Sequence, residues 1–202
     1  MMWKGFQRPN RLEVDEESGN YGRFTAQPLE RGWGTTVGNA LRRVLLSSIE
    51  GAAITAVKID GVEHEFTAMP GVVEDVTDVI LNLKSLAIRM HDDGPRTLVL
   101  DAKSKGVVTA DAFEDDAQVE ILTPEAPVAT LADGGRLRLE ATVTKGRGYV
   151  PADRNFDAEA PIGTIPLDSA HSPVRRVNYH VEAARVGQAT DYDKLVLEVW
   201  TN

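Results

Sequence analysis

The amino-acid sequence predicts an α+β fold in which a few helices pack on antiparallel strands. Most of the chain alternates apolar and polar residues with the period of two of half-buried strands, most clearly in Leu137–Thr144, Val177–Ala184 and Leu195–Trp200. Only two segments have the apolar spacing of a helix. Turn-rich stretches at Val119–Arg136 and Lys145–Pro173 interrupt the strands. Few helices among many short strands are typical of the α+β class.

The first predicted helix begins near Thr35 and Thr36, either of which can cap its free backbone amides. Apolar residues then recur at the i, i+3, i+4, i+7, i+8 spacing of one helical face. They are Val37, Ala40, Leu41, Val44 and Leu45. This stripe predicts the face with which the helix packs on the core.

The opposite side of this helix carries an apolar and a basic residue next to each other. At 100° per residue Leu46 lies opposite the stripe, and Arg43, three residues earlier, is its neighbour. The leucine offers apolar area, and the guanidinium is a planar donor fork for a carboxylate or for carbonyls. Two interpretations stay open: a contact surface for a partner, or a single scattered surface leucine.

The second predicted helix covers about Val72–Leu86, and its apolar stripe is Val72, Val76, Val79, Ile80 and Leu83. Two hairpins are predicted around it. Ala53–Asp60 is expected to pair with Val62–Phe66 across the Asp60-Gly61 turn, and Leu86–Met90 with Arg96–Leu100 across the loop between them.

Composition excludes several classes of function. The 202 residues include no cysteine, which removes disulfides, thiolate nucleophiles and cysteine-based metal sites. The 22 basic and 31 acidic side chains give a net charge of −9, which disfavours broad phosphate binding. The N-terminus has no apolar signal segment, and no apolar run approaches the ~18 residues of a membrane span. We therefore expect a cytoplasmic protein without membrane contact.

Two glycine-rich segments are candidates for ligand chemistry. The spacing of Gly32, Gly34 and Gly38 is one residue longer than the dinucleotide fingerprint, and no parallel βαβ pattern surrounds it. A tight turn into a capped helix is favoured there. Lys145–Tyr149 holds two cations and an aromatic ring, but its acidic surroundings favour a loop or a partner contact over nucleic acid.

The four histidines show no metal-ligand spacing. They are His64, His91, His171 and His180. His64 shares a side of its segment with Val62 and Phe66, where a packed or interface histidine is expected. No GxSxG nucleophile elbow is present. We therefore expect no catalytic residue, no metal and no cofactor.

Several ordered segments carry a more specific pattern. They are Pro28–Ser48, Ile59–Phe66, Gly71–Val76, Ile80–Lys84, Gly146–Ala152, Ser172–Val174, Val181–Val186, Thr190–Leu195 and Glu198–Asn202. In this order they resemble the N-terminal, assembly region of the bacterial DNA-directed RNA polymerase alpha subunit family. The resemblance spans nearly the whole chain; the first few residues and about 87–138 look variable.

The resemblance implies a fold of two parts. A discontinuous dimerisation domain, residues 1–51 plus 175–202, would have a few helices packed on an antiparallel sheet. An inserted, mostly-β domain would occupy residues 52–174. Family members continue beyond the position of Asn202 with a helix that reinforces the dimer, a flexible linker and a C-terminal DNA-binding domain, and we expect this chain to lack these parts.

The resemblance also implies a role as a non-catalytic scaffold. In this family the alpha subunit forms a homodimer and binds the beta and beta′ subunits, which hold the nucleotidyl-transfer residues. No direct DNA contact is expected from this region. The positions that match beta- or beta′-facing residues are Arg43, Leu46, His64, Gly71, Lys84, Val174 and Arg175.

Two other functions remain as alternatives. One is a stand-alone small-molecule enzyme that uses the loops near Gly146 and Gly163. A deep pocket with a carboxylate–histidine cluster would favour it, whereas a flat surface around Arg43 and Leu46 would favour the scaffold. The other is an independent nucleic-acid binder, which the net charge of −9 disfavours.

Overall fold

A computed structural model describes residue 9, residues 12–187 and residues 189–202. Two compact units divide the chain. The first combines the residues up to Ile49 with Pro173–Asn202, and the second is Glu50–Ser172. The part of the predicted dimerisation domain before Leu12, except Pro9, lies outside the described residues.

The predicted α+β class is confirmed, since antiparallel strands greatly outnumber helices in the described part of the chain. A 3-10 turn covers Ala110–Ala112. In chain order the other elements are β1 (Leu12–Ser18), β2 (Tyr21–Glu30), α1 (Trp33–Ser47), β3 (Glu50–Ile59), α2 (Val76–Ser85), β4 (Ile88–Met90), β5 (Arg96–Ala102), β6 (Gly106–Thr109), β7 (Val119–Ile121), β8 (Pro127–Leu131), β9 (Leu137–Arg147), β10 (Tyr149–Val150), α3 (Ala152–Asn155), β11 (Thr164–Pro166), β12 (Ser169–Ala170), β13 (Val174–Val186) and β14 (Ala189–Thr201).

In its described residues, the first unit has one helix, which packs on one antiparallel sheet with strand order β1-β2-β14-β13. Val177 and Leu197 are buried on the sheet face that packs with Leu45 of α1. Along β13, residues 177, 179 and 181 point to this face because side chains alternate along a strand. The predicted strands at Val177–Ala184 and Leu195–Trp200 are therefore confirmed and are neighbours in the sheet.

The helix approaches the sheet through glycines. A Cβ atom on Gly38 would lie 2.5 Å from Tyr179 Cδ2 and 2.8 Å from Leu195 Cδ1. A Cβ atom on Gly34, one turn earlier, would lie 2.8 Å from Val181 Cγ1. Real Cβ atoms do not tolerate such distances, so the absence of side chains at these two positions sets how closely α1 packs on β13 and β14.

The second unit has a larger core around the sheet β11-β3-β9-β5. The predicted alternation in β9 is confirmed: Leu137, Leu139, Ala141 and Val143 are all fully buried. Helix α2 contributes its own buried stripe to the core of this unit. That stripe consists of Val76, Val79, Ile80 and Leu83.

Helix α2 begins at Val76 rather than at the predicted Val72. The Oδ1 atom of Asp75 accepts a hydrogen bond of 2.8 Å from the backbone nitrogen of Asp78 and so caps the helix. Four of the five residues of the predicted apolar stripe are buried on the helix, whereas Val72 precedes it because the N-cap fixes the start of the helix one turn later.

Both predicted hairpins are wrong. Gly61 does make a turn with φ +79°, but residues 62–66 form no strand, and β3 pairs instead with β9 and β11. Strand β4 pairs with β7, and β5 pairs with β9, so Leu86–Met90 and Arg96–Leu100 are not partners. Long-range pairing prevails because it buries Leu98 and Leu100, at 3% and 0% exposure, in the core.

Candidate protein-interaction surfaces

The N-terminus of α1 is held by a carboxylate from a distant strand. Asp193 of β14 accepts hydrogen bonds at Oδ2 from the backbone nitrogens of Gly32 and Gly34, at 2.8 and 3.0 Å. The predicted capping role of Thr35 or Thr36 is wrong, since both lie inside the first turn and Gly32 is the N-cap. A carboxylate at the positive, N-terminal end of a helix also interacts favourably with the helix dipole.

Much of the apolar stripe of α1 faces solvent in the single chain. Trp33, Leu41 and Val44 are 40%, 39% and 53% exposed, and Ala40 is exposed as well. A group of neighbouring exposed apolar residues is unusual on a single chain unless another surface covers it. We call this set of four residues the apolar face of α1.

The exposure of these residues shows that the prediction of the core face of α1 is wrong in part. Of its five residues, Val37 and Leu45 are half-buried, as a packing face requires. Ala40, Leu41 and Val44 are exposed, so the prediction that they pack on the core of their own chain is wrong. The physical reason is that the sheet takes up the side of the helix with Gly34 and Gly38, whose lack of side chains the apolar pattern could not register.

Arg43 and Leu46 lie on a third side of α1. Leu46 is 38% exposed and Arg43 is exposed. Among the described residues, the guanidinium of Arg43 has no hydrogen-bond or ion-pair partner, in contrast to Arg42, which lies over the ring of Tyr179 at 5.7 Å. An exposed leucine beside an unpaired arginine can supply apolar area and five directed donors to a partner. Its contact with a partner stays a prediction.

His64 lies in an exposed turn of the second unit rather than on a strand. Its Nδ1 atom is 3.2 Å from Thr67 Oγ1, and its carbonyl accepts from the nitrogen of Thr67. Phe66, two residues on, is 82% exposed, whereas Val62 is buried at 6%. His64 itself is exposed, so the expectation of a packed histidine is wrong, and its place in an interface stays a prediction.

Gly71 is required by backbone geometry. Its φ of +78° favours glycine, and a Cβ atom there would lie 2.6 Å from Cα of Gly135. Its carbonyl also accepts a hydrogen bond of 2.9 Å from the nitrogen of Ala132. Gly71 therefore fixes the course of the segment that leads into α2, with no side chain to offer a partner.

Lys84 belongs to a cluster of three side chains that the sequence did not predict. Its Nζ atom is 2.5 Å from Asp168 Oδ1, and the hydroxyl of Tyr149 donates to Asp168 Oδ2 at 3.2 Å. The Lys84 ammonium lowers the pKa of the Asp168 carboxyl below its ordinary value. The three residues come from α2, β10 and the turn between β11 and β12, so no sequence spacing could have connected them.

Val174 and Arg175 differ in accessibility. Val174 is 6% exposed and packs in the core of the first unit, while Arg175 is exposed. Val174 thus shapes this segment from inside, and Arg175 is the one of the two that can offer its side chain to a partner.

A buried polar chain in the second unit was not predicted. His171, 3% exposed, donates from Nδ1 to the carbonyl of Gly51 at 3.3 Å, so its Nε2 accepts from Ser169 Oγ at 2.9 Å. The amide nitrogen of Asn155 donates to the same hydroxyl at 3.0 Å. Burial lowers the pKa of His171, which favours the neutral ring that this chain of hydrogen bonds requires.

One of the two loops named for the alternative enzyme, the one near Gly163, borders a cleft of the second unit. The cleft, of about 610 Å³, lies over the outer face of β3 and β9 beside the segment that precedes Gly163. Its charged lining residues are Lys58, Glu140, Asp157 and Glu159, and its other residues are mainly threonines, prolines and alanines. No histidine lines it. Gly146 faces the buried ring of His171, where a Cβ atom would lie 2.8 Å from the ring.

Two searches of the described residues were negative. No group of three or more histidine, aspartate or glutamate side chains is placed to hold a metal ion in the described ranges. Among the helices described, none is both long enough and apolar enough to cross a membrane.

The fold is that of an α+β protein with two compact units. Residues 57–172 match the family described as "RNA polymerase Rpb3/RpoA insert domain", so the chain belongs to that family. The matched segment falls within the unit Glu50–Ser172.

Curated relatives extend the similarity to nearly the whole chain. It is 60% identical over 199 residues to a protein of Symbiobacterium thermophilum named DNA-directed RNA polymerase subunit alpha, covering 98% of this chain. It is 58% identical over 192 residues, 95% of this chain, to the protein of the same name from Moorella thermoacetica. The chain spans 63% and 61% of the lengths of these two relatives.

Proposed function

We propose that this chain acts as the assembly region of an RNA polymerase alpha subunit, a non-catalytic scaffold that homodimerises and binds the beta and beta′ subunits. The similarity to two proteins named as alpha subunits supports this role. Nucleotidyl transfer would then reside in beta and beta′, and this chain would need no cofactor and no DNA contact of its own. The polymerase complex would act in the cytoplasm.

The observation that carries the proposal is the apolar face of α1. The helix uses its glycine side to pack on its own sheet, which leaves Leu41 and Val44 exposed at 39% and 53%. A second copy of the chain can cover this face, because a two-fold contact brings the same patch of each copy together. The first unit would then be the dimerisation domain, and residues 52–174 the inserted domain.

Arg43 and Leu46 supply a separate surface for the beta subunit. They lie on a different side of α1 from Val44, so a helix in a dimer contact can still present them. In the second unit, Lys84 and the exposed turn with His64 are the further candidates for the large subunits. Gly71 and Val174 would support these surfaces from within their own units.

Binding to isolated beta subunit tests the proposal. Arg43→Ala removes an exposed side chain without a described intrachain partner, so we expect an unchanged fold by circular dichroism and at least a tenfold loss of beta affinity, roughly 1.4 kcal/mol or more. Arg154→Ala, at another exposed arginine, is the matched control and should bind like the original chain. Equal beta affinity of both variants would remove Arg43 from the surface, and an original chain that does not bind beta would refute the function.

A further inference from the structure

Lys84 does not stand alone on the surface. Its ammonium is 2.5 Å from Asp168 Oδ1, and the other carboxylate oxygen of Asp168 accepts from the Tyr149 hydroxyl at 3.2 Å. Asp168 is therefore held from two sides, by a helix residue and by a strand residue. A carboxylate with both oxygens engaged has one preferred orientation.

The backbone around Asp168 is fixed as well. Tyr149 pairs with Ala170 and Val150 with Ser169 in the β10–β12 ladder. Ser169, the next residue after Asp168, is 2% exposed and belongs to the buried hydrogen-bond chain of His171. Tyr149 thus lies in a short ladder, and Asp168 directly precedes this ladder beside the buried side chain of Ser169.

The outer side of the cluster faces solvent. The side chains of Lys84 and Asp168 are 28% and 39% exposed, and Tyr149 is 65% exposed. A lysine ammonium has three donors, and Asp168 is the one acceptor that the described residues supply to Lys84. Two N–H donors and an aromatic ring therefore remain available at this surface.

We propose that Asp168 is a positioning residue for Lys84, and that Lys84 and Tyr149 together present a fixed donor and ring to carbonyl or carboxylate oxygens of a large polymerase subunit. This inference rests on the proposed function. Without Asp168, the four-carbon stem of Lys84 would sample many rotamers, and binding would have to restrict them. Holding the side chain in one orientation before binding removes that entropic cost.

The proposal differs from two simpler interpretations. If Lys84 contacts the partner as an independent cation, removing the Asp168 charge should leave binding unchanged or improve it. If the ion pair only stabilises the unit, its loss should lower the melting temperature and affect binding no more than the loss of another ion pair. Arg136 and Asp101 form such a pair in the same unit, with two hydrogen bonds of 3.1 and 2.9 Å.

A double-mutant cycle separates these interpretations. The affinity of the chain for purified beta and beta′ is measured for Lys84→Ala, Asp168→Asn and the double variant, with Asp101→Asn as the matched control. We expect Asp168→Asn to lose about three- to tenfold in affinity, the double variant to be no weaker than Lys84→Ala, and Asp101→Asn to bind normally. Asp168→Glu should restore most of the loss, because it keeps the charge, and Tyr149→Phe should show a smaller loss.

Each of the other outcomes refutes a specific part of the proposal. Normal binding by Asp168→Asn, or losses that simply add in the double variant, would refute the positioning role while leaving the scaffold function intact. A loss in Asp168→Asn that is matched by Asp101→Asn would reduce the pair to a stabilising role. An original chain that binds neither large subunit would refute the proposed function itself, a result distinguishable from both.

Discussion

The Oδ2 atom of Asp193 lies 3.0 Å from the backbone nitrogen of Gly34 and 2.8 Å from that of Gly32, so a residue 159 positions away caps α1. The cap ties the start of the helix to β14 of the same unit. It also explains why the threonines of the first turn are not needed as caps.

Asp193→Ala should destabilise the first unit by about 0.5–2 kcal/mol, because two amides at the helix start lose their acceptor. Asp193→Asn keeps an acceptor oxygen and should lose less. Urea unfolding followed by circular dichroism measures both. Two variants with the stability of the original chain would show that the cap contributes nothing.

Gly38→Ala should destabilise the chain, against the usual trend for a helix. In an exposed helix this change stabilises by about 0.5–1 kcal/mol. Here the new Cβ atom would meet Tyr179 and Leu195, and overpacking of this kind costs about 1–3 kcal/mol. Gly94→Ala is the control, since a Cβ atom there meets nothing within 4 Å. Thermal unfolding that ranks Gly38→Ala at or above the original chain would contradict the close approach of α1.

Val44→Asp should weaken the proposed homodimer strongly while leaving each chain folded. Val44 is 53% exposed in the single chain, so the aspartate is tolerated there, but burying its charge between two copies costs several kcal/mol. The dimer dissociation constant should rise about a hundredfold or more. Asn39→Asp adds the same charge to a different side of the helix and should leave the dimer unchanged. Equal sedimentation of the two variants would move the dimer contact away from Val44.

The second unit should lose stability as the pH falls below about 6.5, the ordinary pKa of histidine. Burial lowers the pKa of His171 in the folded chain, so the unfolded chain binds more protons between that lowered value and about 6.5. Stability is then fully present above this window and is lost through it as the pH decreases. In His171→Asn, the urea midpoint of unfolding should change less between pH 8 and pH 5 than it does in the original chain. In His91→Asn, at an exposed histidine, it should change as much as in the original chain. A profile with the same slope in His171→Asn as in the original chain would contradict the assignment.

The sequence predicted the elements with a strong period and missed those defined by long-range contacts. The alternation in Leu137–Thr144 and the stripe of α2 are local, and both are present. The partners of β4 and β5 are not local, and the predicted hairpins are wrong because burial of Leu98 and Leu100 decides the pairing. Strand register depends on which faces become buried, which a short window does not contain.

The candidate surfaces were predictable to different degrees. Helical geometry alone placed Arg43 and Leu46 together, and both are exposed. The apolar stripe was assigned to the core because Gly34 and Gly38 carry no hydrophobic signal, although they form the contact with the sheet. Lys84 came from the family resemblance, but Asp168 and Tyr149 lie 84 and 65 positions further on, and only the fold brings them to it.

The most direct test is the mass, by light scattering on a sizing column, of this chain alone and mixed with the beta subunit. We expect a mass twice that of the 22.0 kDa chain when it is alone, and a heavier complex containing beta when the two are mixed. With Arg43→Ala the chain should remain a dimer and elute apart from beta. A chain that elutes without beta in every mixture would contradict the scaffold function.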